Sequence, residues 1–185
     1  MFEMKMWPVL LFVLALGGCD GIVIVNDAMQ QPNYHRGDET YAARNGAIRV
    51  QVEGTTFGLA REQFASEVVN RMRAAYSRHE IFTLDASSAT DPDYKIVMMF
   101  DPDPALSGDG LCAASQPLPP VPCAPGESTS LRAAFCGGTS AISESGARVT
   151  GGVRGVDEAR FSELIARTIN TLIPKDDYRQ NSGKS

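Results

Sequence analysis

Three thiols, two imidazoles and two acidic doublets are the side chains in this sequence with the most chemical reach. Cys112, Cys123 and Cys136 lie in or beside one proline-rich stretch. Three thiols form at most one bridge within a chain. Pairing Cys112 with Cys123 pinches that stretch, whereas pairing Cys112 with Cys136 pins it to the strand expected to end near Phe135. Short-range closure favours the first and strand anchoring the second; either bridge contributes roughly 2–4 kcal/mol. A zinc site needs a fourth ligand, and the chain has no Cys-x-x-Cys or His-x-x-x-His spacing, so no metal centre is expected. His35 and His79 could each act as a general base, but neither belongs to a nucleophile constellation, and Gly-x-Ser-x-Gly, Ser-x-x-Lys and phosphate-loop patterns are missing. Ser140, behind Gly137-Gly138-Thr139, reads as a turn residue. Asp91-Pro92-Asp93 and Asp101-Pro102-Asp103 offer oxygens of the kind calcium takes. They lack the closing glutamate of an EF-hand, and Asp-Pro is an ordinary turn starter. Met98-Met99 reads as core filler rather than a soft-metal site. No catalytic set and no cofactor is expected.

The formal charge is −5, and the nearest thing to a basic cluster, Arg71, Arg73 and Arg78, falls on one expected helix and its end. A phosphate-backbone binder carries a basic patch, so nucleic acid is not expected as a partner. The amino terminus carries an apolar run of ten residues from Trp7 to Leu16, followed by Gly17-Gly18-Cys19-Asp20. Spanning a bilayer takes about 20 apolar residues, so the run fits the core of a signal peptide instead. Leu16-Gly17-Gly18-Cys19 resembles the bacterial lipobox. That resemblance implies cleavage before Cys19 and acylation of its thiol, making a membrane the first expected partner. One myristoyl chain holds only reversibly, whereas the triacylated cysteine of lipoproteins stays anchored. Asp20 resembles the signal that retains enteric lipoproteins in the inner membrane. The expected location is therefore the cell envelope, facing the periplasm, with the inner membrane ahead of the outer. Disulfides persist in that compartment.

The elements follow from periodicity. Residues 19–46, rich in polar residues and turn formers, read as a lipidated tether, interrupted by Ile22-Val23-Ile24-Val25, whose β-branched run favours a short strand. Ile48 to Val52 alternates apolar and polar. Phe64, Val68, Met72 and Tyr76 recur at helical spacing. Ile81 to Leu84 is a short strand, and Tyr94 to Phe100 is the best strand in the chain, partly apolar on both faces as a central strand should be. Seven of the eleven prolines fall between Pro102 and Pro125, making 101–129 a long loop of the kind that is functional or disordered. Ser130 to Cys136 restarts a strand, and Ala147 to Thr150 adds another. Phe161, Leu164, Ile165, Thr168, Ile169 and Leu172 mark a last helix, with Asp157 placed as its N-cap and Pro174 as its stop. The expected fold is α+β: a two-layer sandwich whose mixed sheet has about four to five strands, with two helices on one face. The expected domain runs from 47 to 174, behind a leader at 1–18 and ahead of a polar tail at 175–185.

From Ile48 to Pro174 the chain resembles uncharacterised proteobacterial lipoproteins, through Tyr94-Lys-Ile-Val-Met-Met-Phe100, Arg132-Ala-Ala-Phe-Cys136 and Phe161 to Pro174. More distantly, its pattern is similar to small α+β domains of envelope-assembly lipoproteins such as the curli-secretion lipoprotein. The uncharacterised group brings no known activity. A lipid anchor, a tether and a long semi-rigid loop without catalytic residues point instead to a non-catalytic envelope protein that binds another envelope component, with the displayed loop as the recognition element. The alternatives are a small hydrolase-type enzyme with an unrecognised site, or a binder of a small ligand or metal ion.

Overall fold

Ile48, Val50 and Val52 point one way and Arg49 and Gln51 the other, and this alternation builds strand β3 (Ile48–Gly54). In the computed structural model, which describes residues 21–32, 34–35, 37–44, 46–76, 81–89, 91–121 and 128–174, β3 belongs to a mixed sheet of seven strands. The others are β1 (Val23–Val25), β2 (Met29–Gln30), β4 (Phe82–Thr83), β5 (Tyr94–Phe100), β6 (Thr129–Gly137) and β7 (Ser140–Val149). The order is β1-β7-β6-β5-β3-β4, with β2 also paired to β7. β3 runs parallel to both β4 and β5; every other pairing is antiparallel.

The class is α+β, but the sheet is larger than the four to five strands expected. The difference comes from the segment read as a tether. Residues 23–25 pair with β7 in the register Val23↔Val149 to Val25↔Ala147. Met29 and Gln30 pair with Glu144 and Ser143. A short helix, α1 (Asp38–Ala42), then buries Ala42. β-branched residues next to a strand with free backbone groups pair with it rather than stay solvated. The described part of the segment read as a tether, from Gly21 onward, is thus paired with or packed on the sheet. Cys19, Asp20, the leader 1–18, the tail 175–185, His79 and Cys123 lie outside the described residues.

Two long helices, α2 (Arg61–Ala75) and α4 (Ala159–Leu172), cover one face of the sheet. Phe64, Val68 and Met72 from α2 meet Phe161, Leu164, Ile165 and Ile169 from α4 over Ile96, Met98 and Phe100. Phe57, Phe64, Phe100 and Phe161 interlock with ring centroids 5.0–6.2 Å apart, spacings at which edge-to-face and offset rings attract. Asp157 does not cap α4. Glu158 is the N-cap residue, and its carboxylate accepts from Arg154 N at 2.8 Å and pairs with Arg160 at 2.9 Å instead of bonding the helix. The opposite face carries a smaller core under a third helix, α3 (Gly108–Ala113), inside the proline-rich stretch.

Candidate functional site

The second face of the sheet holds two of the thiols that the sequence marked for chemistry, Cys112 and Cys136. Ser107 caps α3, its hydroxyl accepting from Gly110 N at 3.1 Å. Leu111 and Cys112 from the helix, with Leu106 and Leu118 from its flanks, pack on Val97, Met99, Ala134, Cys136 and Ala141. Cys112 and Cys136 form a disulfide, with Cα atoms 5.6 Å apart, inside the usual range for such bridges. Strand anchoring thus prevails over the shorter closure with Cys123, because α3 lies directly over β6 and delivers Cys112 to it. The bridge is buried, Cys112 being 2% and Cys136 0% exposed.

Polar ties complete the brace. Asp109 Oδ1 accepts from Ala141 N at 2.7 Å, and Glu144 Oε2 accepts from Gly108 N. Arg132 donates to the carbonyl of Leu106. Asp101 is buried, with φ at 51°, and exchanges bonds with Ser130: its own N–H donates at 2.8 Å and its Oδ1 accepts at 2.9 Å. Its carbonyl accepts from Val121 N at 2.9 Å, so the far end of the stretch is fixed to its start. Gly108 has no room for a side chain: a Cβ there would lie 2.2 Å from Glu144 Oε2 and 3.0 Å from Ala141 Cβ. The segment expected as one long loop is thus a helix-bearing flap held to the sheet through its described residues.

Beside the flap, toward β1, lies an open groove of about 510 Å³. Pro102, Pro104 and Val121 line it from the flap, and Ile24, Ser130, Arg132 and Arg148 line it from the sheet. Arg132 is engaged by the flap. Arg148, in register with Ile24 on β1 and Ser130 on β6, is exposed and makes no ion pair or hydrogen bond through its guanidinium among the described residues. The groove therefore offers an apolar and proline-lined wall with one available cation.

The remaining candidates do not converge. The acidic doublets flank opposite ends of β5, about 26 Å apart from Asp93 to Asp101 at strand rise. Asp91 pairs with Arg44 at 3.3 Å and accepts from Asp93 N at 3.1 Å, while Asp103 accepts from Ala105 N at 2.8 Å. They act as turn formers, and no group of three His, Cys, Asp or Glu able to hold a metal occurs among the described residues. Met98 and Met99 are buried in different cores. His35 is exposed beside α1, where its backbone N–H donates to Asp38 Oδ2 at 2.8 Å. Arg71 pairs with Glu67 at 3.6 Å, and Arg73 donates to the Phe82 carbonyl at 2.7 Å, so these arginines are structural. One electrostatic feature had no local signal. Arg49 and Lys95 are in register on β3 and β5, and burial, followed by the Arg49 charge, lowers the Lys95 pKa below its usual 10.5. Among the described residues no helix is long and apolar enough to cross a membrane.

No protein-family model matches the chain, and neither does any curated protein. Among solved structures, the PelC dodecamer from Paraburkholderia phytofirmans in space group P6 superposes with a TM-score of 0.45 at 13% identity, over 84% of this chain and 100% of that one. A single-substitution variant of the same dodecamer in space group C2 gives 0.44 at the same identity and coverage. At that overlap the likeness assigns no residue of this chain a role.

Proposed function

We propose that this chain is a non-catalytic binding protein of the cell envelope, held on a membrane through lipid on Cys19 and facing the periplasm. Its recognition surface is the groove between β1 and the disulfide-braced flap, and its partner is an envelope protein that lays an extended segment carrying an acidic side chain along it. The observation that carries this reading is the exposed Arg148 cation, without a partner among the described residues, in an open groove lined on the flap side by Val121, Pro102 and Pro104. Rigid apolar walls supply contact area at little entropic cost, and a single desolvated cation supplies register and selectivity. A buried disulfide supports export, since thiols stay reduced in the cytoplasm.

The test is crosslinking in intact cells from a photoreactive residue replacing Ser130, with Arg148→Glu as the control. Deleting 102–128 is not a usable control, because Leu111 and Cys112 belong to the core. Capture of a discrete protein, falling roughly tenfold in Arg148→Glu as a charge reversal at an interface should produce, supports the reading. No capture, or capture indifferent to Arg148, removes the groove from it.

A further inference from the structure

The chain is packed into the domain as early as Gly21. A Cβ on Gly21 would lie 1.8 Å from the Thr150 carbonyl oxygen and 2.6 Å from the Arg160 guanidinium, and Ile22 N donates to Thr150 Oγ1 at 2.9 Å. Only two peptide steps separate Gly21 from Cys19. A fully extended chain covers at most about 3.6 Å per residue, so an anchor two residues before Gly21 leaves the domain a tether of at most about 7 Å of backbone. A lipid on Cys19 would therefore hold the β1 edge at the level of the phospholipid headgroups, with no slack to lift it away.

That edge carries three of the exposed large apolar residues. Ile22 is 69%, Ile24 51% and Met29 61% exposed. Ile22 and Ile24 share a strand face by alternation, and Met29 sits on the same face opposite Glu144. Glu144 lies opposite Met29 and Asp27 is exposed between the two strands, so the apolar side chains, not charge, would carry a contact with a bilayer surface.

We propose that the β1–β2 edge is a membrane-contact surface, with Ile22, Ile24 and Met29 lodged among the headgroups and upper acyl chains of the bilayer that holds Cys19. This rests on the lipid-anchor reading above. It fixes the orientation of the domain: the sheet edge faces the bilayer, and the groove opens beside it.

The test uses tryptophan, because the only one in the chain is Trp7, inside the leader. Full-length Ile24→Trp and Met29→Trp proteins are purified from membranes, weighed by mass spectrometry, and reconstituted in phosphatidylethanolamine–phosphatidylglycerol vesicles brominated near the head of the acyl chain. Leu84→Trp is the reference: Leu84 is part-exposed and follows β4, five strand spacings or about 24 Å across the sheet. The expected result is an acyl mass on Cys19 and quenching of both edge tryptophans at least roughly threefold stronger than at Leu84→Trp. Acylated protein whose edge tryptophans are quenched no more than Leu84→Trp overturns the contact and leaves the anchor standing. A blue-shifted but unquenched Ile24→Trp assigns the edge to a second copy of the chain and overturns it too. A mass without acyl groups removes the anchor, and the contact with it.

Discussion

The Cys112–Cys136 bridge makes the sharpest quantitative prediction. The two cysteines are 24 positions apart, closing a loop of about 25 residues in the unfolded chain. The loop-entropy relation then assigns the bridge about 3.5 kcal/mol at 25 °C. Both sulfurs lie in an apolar core, so replacing both residues with alanine adds no buried polar group, and the loss should stay near that value. For a chain of this length, each 1 kcal/mol moves the melting midpoint by about 2–4 °C. The Cys112→Ala/Cys136→Ala double variant should therefore melt about 7–14 °C below the oxidised protein, read by far-UV circular dichroism. Cys123→Ala should melt with the wild type and keep the same sensitivity to reduction in denaturant followed by refolding. A double variant within about 2 °C of wild type, or a Cys123→Ala protein that loses its response to reductant, would refute the pairing on which the flap depends.

Gly108→Ala should destabilise by roughly 1–3 kcal/mol in urea titrations, because its methyl must displace Glu144 and Ala141. Gly37→Ala, with nothing within 4 Å of the new carbon, should stay within about 0.5 kcal/mol, and equal losses would remove the tight contact from the account. Lys95, whose pKa is lowered in the folded chain, binds its proton more weakly there than in the unfolded chain. It therefore makes stability rise with pH in the alkaline window below 10.5. Tyr94, raised by burial and then by Asp38, works against this only above about pH 10. Lys95→Met should flatten the rise as pH climbs toward 10.5, and an unchanged slope would show that the lysine is not its source.

The legible parts of the sequence were those whose signal is local. β3 announced itself by alternation and α2 and α4 by spacings of three and four, because each turns an apolar stripe to one core, whereas β5 showed as a run apolar on both faces because it buries one face in each core. β7 did not. Its Ser143-Glu144-Ser145-Gly146 centre looks like a turn, yet Ser143 is fully buried and donates to the Leu172 carbonyl at 2.9 Å, a partner at the far end of α4. β1 carried the right residues, but the strand it pairs with begins more than a hundred residues later, and the polar sequence around it argued for a tether. The cysteine pairing was open for the same reason. Which thiol meets Cys112 is decided by where α3 lands on the sheet. Arg148 and Ile24 became a candidate site only once the register placed them side by side.

The groove is a property of the oxidised chain. α3 has six residues, too few for a helix to persist on its own in water. Its place depends on Leu111, on the capping and carboxylate bonds, and on the Cys112–Cys136 bridge. The flap that these hold down supplies Pro102, Pro104 and Val121, one whole wall of the groove. Loss of the bridge loosens that wall while leaving the two-helix core on the other face intact, because the two cores share no side chain. Binding in the groove and global stability therefore respond to reduction through different parts of the molecule. A binding defect without unfolding is the expected sign of a chain that has lost its disulfide but kept its fold.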